Sequence, residues 1–278
     1  MSENITIECI DPKTLSSSWF LEIHEVMREI WSDKESLWEL LQCTLCRRIY
    51  SRTDICDLIG LSYTLSVSSM IKDHEIQKYP CICGGWMKLV HDDDHISRVR
   101  ERMLETKKAF LVLVKNASEK IVGYEDAYID SFNPIFEREF SDHYSSIGAE
   151  KIRTKVEALL WPRWDDYIVL SNIWLQREYR SFEVIFRVLH EMSKLFGETY
   201  DRLPCITEID RRNPLHKVSM SVGGLSLGLL EDPELSGDIS NKNSDYQSDI
   251  IVYPSITRIY REYFGGNIRD YVRKTRNK

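Results

Sequence analysis

No stretch of this 278-residue chain approaches the roughly 18 apolar residues in a row that a membrane-crossing helix needs. Residues 1–8 hold no basic segment followed by an apolar one, so the expectation is a protein without a secretory leader, in the cytoplasm. Internal repeats and low-complexity tracts are absent as well. Positive charge is in short supply: the formal net charge is −7, which argues against a general nucleic-acid binder. What remains is a soluble globular composition, 42% hydrophobic and 29% charged, long enough for one large domain or for one domain with a small companion.

Cysteine is present in an odd number, seven, and four of the seven fall in two close pairs, Cys43 with Cys46 and Cys81 with Cys83. Without a leader, such pairs read as metal ligands rather than disulfides. A metal-binding knuckle needs a tight turn that aims backbone N–H groups at the sulfurs, and Gly84, after the second pair, suits the unusual φ of such turns. The two pairs resemble the knuckles of a zinc ribbon, with the second shortened to Cys-x-Cys and 34 residues between Cys46 and Cys81. That resemblance implies a structural zinc held by Cys43, Cys46, Cys81 and Cys83, with Cys56 and His74 as substitutes. Four thiolates close the coordination sphere and leave no position for a catalytic water. Arg47, Arg48 and Arg52 beside the first knuckle are the one local hint of nucleic-acid contact, set against an acidic total.

The segment that organises the rest is residues 167–196. It opens as a strand with apolar residues at both parities, as a central strand covered on both faces requires. Strict alternation puts Tyr167, Val169, Ser171, Ile173 and Leu175 on one face, and Ile168, Leu170, Asn172 and Trp174 on the other. A polar turn, residues 176–180, leads to Ser181 as a helix N-cap, with Glu183 in the first turn. Phe182, Ile185, Val188, Leu189, Met192 and Phe196 then recur at helical spacing, and Gly197 is a natural stop. A helix start after a short turn leaves N–H groups free for a phosphate.

Upstream, residues 5–10 read as a strand broken by Asp11-Pro12, and Trp19, Phe20, Ile23, Val26, Met27, Ile30 and Trp31 make a helical stripe. A helix resumes at Asp93, with Ile96, Val99 and Met103 inward and Arg98, Arg100 and Arg102 mostly solvated. Residues 109–114 and 121–129 form a hairpin, and residues 133–161 hold one or two helices near the mouth of a site, either a structural cover or an acceptor-binding lid. Downstream come a strand at 203–209, a helix opened by Asn213 and Pro214, closing strands at 225–230 and 249–253 around an acidic loop, and a helical tail from residue 255.

Arg177-Glu178-Tyr179-Arg180, placed between the central strand and its helix, resembles the segment before the pyrophosphate loop of GNAT-type N-acyltransferases. Gly123 and Asn213 fall where that family has a strand glycine and the Asn that starts a later helix. The resemblance implies an α/β fold: a mixed, largely antiparallel central sheet flanked by helices. Residues 1–36 and 93–278 would form it, with 37–92 as a zinc-ribbon-like insert. It also implies an acyl-CoA substrate, bound by the backbone of Ile173, Trp174 and Leu175, by Arg180 and the N–H groups of Ser181, Phe182, Glu183, Val184 and Ile185, and near Asn213. The acceptor would be an amine on a small molecule or a protein.

The chain departs from the family at two places. Glu183 and Ile185 stand where small residues normally let the backbone close on the pyrophosphate. Met220 replaces a tyrosine that serves as general acid, and methionine donates no proton. For a base, Glu125, Asp126, Asp130, Glu208 and Asp210 are open, each more ordinarily a solvated carboxylate. Two readings therefore stay open: an acyl-CoA-dependent N-acyltransferase, and a GNAT fold without catalysis that serves as a scaffold and uses the ribbon as its contact surface.

Overall fold

The computed structural model describes residues 5–15, 19–20, 22–23, 41–46, 48–50, 81–89, 93–140, 144, 146–160, 164–200, 202–211, 213–229, 232 and 248–255. The helical tail, most of the first helical stripe and acidic loop, Cys56 and His74 lie outside the described residues. A seven-stranded sheet runs in the order β1 (Thr6–Ile10), β5 (Lys108–Lys115), β6 (Ile121–Asp130), β7 (Tyr167–Leu175), β8 (Cys205–Asp210), β10 (Ser248–Tyr253), β9 (Leu225–Ser226). All neighbours are antiparallel except β7 and β8. A second sheet has three short strands in the order β3 (Ile49–Tyr50), β2 (Leu41–Cys43), β4 (Met87–Leu89).

Apolar residues at both parities give the large sheet two cores, because each face buries its own set. In β5, Ala109, Leu111 and Leu113 join the first core, and Phe110, Val112 and Val114 the second. The first core also takes in Phe20 and Ile23, together with Val99 and Met103 of α1 (Asp93–Glu105), Phe132 and Ile135 of α2 (Phe132–Ile135), and Ile152 and Val156 of α3 (Ser146–Leu159). Between α2 and α3, Phe136–Phe140 is wound as a π-helix, a form that recurs at functional sites. The second core is covered by α4 (Phe182–Tyr200), whose Phe186, Val188, Met192 and Phe196 are buried, and by Val222 at the end of α5 (Pro214–Ser221). Gly197 takes φ +55 and kinks α4 at the expected stop, and a further turn carries the helix on to Tyr200.

Two irregularities set the phase of the centre. Between β5 and β6 the register shifts so that Val122 has no partner. Between β6 and β7, Asp126 faces Asn172 and Ala127 faces Leu170, which leaves Ser171 bulged. The bulge corrects the expected alternation. Tyr167, Val169 and Trp174 pack towards the first core, and Ile168, Leu170, Ile173 and Leu175 towards the second. One extra residue has swapped the faces of everything after it. Gly123 lies across from Leu175, where a Cβ would sit 2.4 Å from the Trp174 carbonyl oxygen, so only glycine lets the strands approach there.

Candidate functional site

β7 and β8 run side by side for Ile168↔Cys205, Val169↔Ile206 and Leu170↔Thr207, and then pairing stops. Thr207 Oγ1 donates to the Leu170 carbonyl at 3.0 Å at the last shared pair. Beyond it, β7 continues to Leu175 still paired with β6, and β8 continues to Asp210 still paired with β10. The parting begins beside the bulged Ser171. Residues 170–174 are half-buried although they lie on the middle strand of seven, while Tyr167, Ile168 and Val169 are buried. The edge of β7 away from β6 thus carries main-chain groups with no strand opposite them among the described residues, a slot into which an extended amide-bearing chain can lie.

The turn after β7 is tied back on itself. Arg177–Tyr179 forms a 3-10 turn, the Gln176 N–H donates to the Val122 carbonyl, and Arg180 Nε donates to the Leu175 carbonyl at 2.8 Å. Ser181 caps α4 as expected, accepting from the Val184 N–H at 3.3 Å, and the Ile185 N–H donates to the Ser181 carbonyl. The N–H groups of Phe182 and Glu183 have no acceptor among the described residues. Ser181, Phe182 and Glu183 are exposed, with Val184 and Ile185 half-buried. Asn213 caps α5, its side-chain Oδ1 accepting from the Leu215 N–H at 3.0 Å. Of the predicted acyl-CoA residues, Ile173, Trp174 and Leu175 line the parted edge, and Arg180 to Ile185 stand at the adjoining helix start.

The carboxylates are not the solvated groups expected of them. Glu125 is 1% exposed and Asp126 0%, and Asp130 and Asp210 are buried too, while Glu208 is half-buried on the first-core face. A middle strand with helices over both faces has no wet side. Glu125 lies across from Ile173, towards the second core, and its Oε2 has no hydrogen bond. Burial, and the charge of Asp126, push its carboxyl well above the usual range. A raised acid stabilises the fold fully below its unfolded pKa, and that contribution is lost as pH climbs from there through the folded value. Glu125→Gln should therefore match wild type in urea unfolding at pH 4 and exceed it at pH 8. A constant difference across that window would overturn this account of Glu125.

Asp126 belongs to a network on the other face. Arg102, expected in solvent, is 4% exposed, with Nε 3.3 Å from Asp126 Oδ2 and Nη1 3.7 Å from Glu139 Oε1. Burial works against its charge, and Glu139 and Asp126 outweigh that. Burial raises the Asp126 carboxyl, with Arg102 and the Asn172 amide, donating at 2.9 Å, pulling it back. Tyr128 Oη donates to Glu139 Oε1 at 2.8 Å, and Ser171 Oγ lies 3.5 Å from the same oxygen. Glu139 was missed in the sequence. Its signal would have been an acid among the aromatics Phe136 and Phe140, with Glu137 beside it, on a segment read as a cover or as an acceptor-binding lid.

The cysteine cluster forms as expected. The Sγ atoms of Cys43, Cys46, Cys81 and Cys83 lie within 4.8 Å of one another, with Cys43 and Cys83 3.4 Å apart and Cys46 and Cys81 3.6 Å apart. A tetrahedral ion with bonds of about 2.3 Å sets its sulfurs ~3.8 Å apart, so the four sulfurs fit one. The N–H groups of Leu45 and Cys46 both point at Cys43 Sγ at 3.4 Å, and Tyr50 Oη is 2.8 Å from Cys81 Sγ. Gly84 takes φ +83, and a Cβ on Gly85 would come 2.7 Å from Cys43 Sγ. Burial works to raise the Cys81 thiol, but the Cys83 N–H and the Tyr50 hydroxyl outweigh it and bring it down to about 6. Thiolate is the form that ligates.

No helix among the described residues is long and apolar enough to cross a membrane. No family model matches this chain, and no curated protein matches it. Among solved structures it is similar to a polyamine N-acetyltransferase of Drosophila melanogaster, at 8% identity over 90% of this chain and 99% of that one, with a TM-score of 0.49. A mosquito arylalkylamine N-acetyltransferase-like 5b is similar at 10% over 90% and 99%, with a TM-score of 0.46. An acetyltransferase of the GNAT family from Staphylococcus aureus Mu50 is similar at 9% over 89% and 98%, with a TM-score of 0.40.

Proposed function

We propose that the chain is an acyl-CoA-dependent N-acyltransferase that moves an acyl group to an amine. The observation that carries this reading is the parting of β7 from β8 beside the bulge at Ser171, with the start of α4 at its open end. The pantetheine arm of an acyl-CoA is a chain of amides and can pair with the bare edge of β7 as a strand would. Its pyrophosphate would lie at the N–H groups of Phe182 and Glu183, where the helix dipole favours an anion. In this reading residues 37–92 are a zinc-ribbon-like insert in a domain built from 1–36 and 93–278. Cys43, Cys46, Cys81 and Cys83 would hold a zinc that cross-links the two knuckles and takes no part in the reaction.

Glu183, the residue least suited to a phosphate loop, has an exposed side chain that can turn away from the anion. Calorimetric titration with acetyl-CoA and longer acyl-CoAs tests the reading. Glu183→Gly should tighten binding by about 1 kcal/mol through loss of a like charge, and Arg180→Ala should weaken it by about 1–2 kcal/mol. If millimolar acyl-CoA does not bind and Glu183→Gly restores nothing, the phosphate site is gone and the parted strands serve a scaffold without catalysis.

A further inference from the structure

We infer that Glu139, held by Tyr128, Arg102 and Ser171 beside the bulge of β7, forms the subsite for the acceptor and takes a primary ammonium group, whose proton it removes. The inference rests on the acyltransferase reading and names the residue and substrate class that the reading leaves open.

Three groups converge on one oxygen of Glu139. Tyr128 Oη donates to Oε1 at 2.8 Å, Arg102 Nη1 lies 3.7 Å from it, and Ser171 Oγ 3.5 Å from it. The other oxygen, Oε2, has no partner among the described residues, and it is not one of the buried polar atoms. The side chain as a whole is 17% exposed. The carboxylate is thus fixed at one end and open at the other, as a base must be to meet a substrate in one geometry.

Charge points the same way. One guanidinium, Arg102, faces two carboxylates, Asp126 and Glu139, which leaves one negative charge in excess at a mostly dry site. Burial of an unbalanced charge is costly, and a cationic ligand removes the imbalance. The neighbouring pair, Arg138 with Asp130 at 2.8 Å, is balanced and contributes no pull.

Position completes the case. Ser171 is both the residue that touches Glu139 and the one at which β7 leaves β8. The network lies on the first-core face and α4 on the other, so an amine at Glu139 would meet an acyl-CoA in the slot from the opposite side of the sheet. The ammonium proton passes to Glu139 Oε2, leaving a lone pair on nitrogen. That pair attacks the thioester carbonyl carbon, the C–N bond forms, and the C–S bond breaks with its electrons going to the thiolate. The thiolate takes up the second nitrogen proton, and Glu139 returns the first to solvent.

The test uses acetyl-CoA and hexylamine with wild type, Glu139→Gln and, as control, Glu137→Gln, whose residue is exposed on the same π-helix. Loss of a general base costs 10²–10⁴-fold. Glu139→Gln should lose about 100-fold or more in kcat/KM for hexylamine, with the acidic limb of the pH profile abolished, while its Kd for acetyl-CoA stays within about twofold of wild type. Glu137→Gln should behave as wild type. A Glu139→Gln enzyme that keeps its rate and pH profile overturns the subsite and leaves the acyltransferase reading standing. A wild type that binds no acetyl-CoA overturns both.

Discussion

Purified wild-type protein should carry about one zinc per chain, and Cys43→Ser with Cys81→Ser should carry none. The expected loss is large, because structural zinc in small peptides contributes about 10–16 kcal/mol of apparent binding energy at neutral pH, most of it felt as folding. The three-stranded sheet has strands of only two or three residues, and among the described residues it has no sizeable core of its own. It relies on the two knuckles, joined by the sulfurs and by Thr44, whose N–H donates to the Trp86 carbonyl at 2.8 Å. Hydrogen exchange should find amide protection lost across 41–50 and 81–89 in the double variant and kept in β5, β6 and β7. Unchanged zinc content would rule out the ligand assignment, and collapse of both sheets together would rule out the local reading.

The second large effect is at Arg102. Removal of one partner from a buried ion pair costs about 3–5 kcal/mol, because the other charge stays buried with nothing to meet it. Arg102→Ala leaves two carboxylates, Asp126 and Glu139, against each other and should lose stability in that range by urea unfolding at pH 7. Neutralising both acids in the same chain, as Asp126→Asn with Glu139→Gln, should recover most of the loss, since the penalty lies in the uncompensated charge. A loss of under 1 kcal/mol for Arg102→Ala, or no recovery in the triple variant, would show that the network contributes little to folding.

Element order was legible because it rests on periodicity. The run 109–114, the strand 167–175 and the stripe Phe182 to Phe196 each carry a period that one secondary structure satisfies. The Asn213 cap and the Gly84 turn were legible because each residue type has a local backbone reason to be there. The knuckle cysteines were legible through spacing alone. The bulge at Ser171 was not, because a serine on a strand looks the same whether paired or displaced, and the displacement is fixed by what β6 presents opposite. Arg102, Asp126 and Glu139 were misread or missed for a related reason. Their burial depends on one another across 37 residues of chain, and each alone has the composition of a solvated surface. The pieces of the phosphate turn were placed by resemblance, while the two exposed N–H groups at Phe182 and Glu183 emerge only from the hydrogen bonds around them.

The parting of β7 from β8 also divides the molecule. On one side lie β1, β5, β6 and β7, and on the other β8, β10 and β9, with three residue pairs, Ile168↔Cys205, Val169↔Ile206 and Leu170↔Thr207, as the sheet's whole stitch between them. Within the sheet's interior this seam is the shortest join, since those of β5 with β6, β6 with β7 and β8 with β10 are all longer. A ligand chain that beds against the bare edge of β7 would act as a missing strand, lengthening the stitch and drawing the two half-sheets together. Occupancy would then protect amides on β8 and β10 that the ligand never touches, and the substrate would be a structural member of the fold for as long as it stays bound.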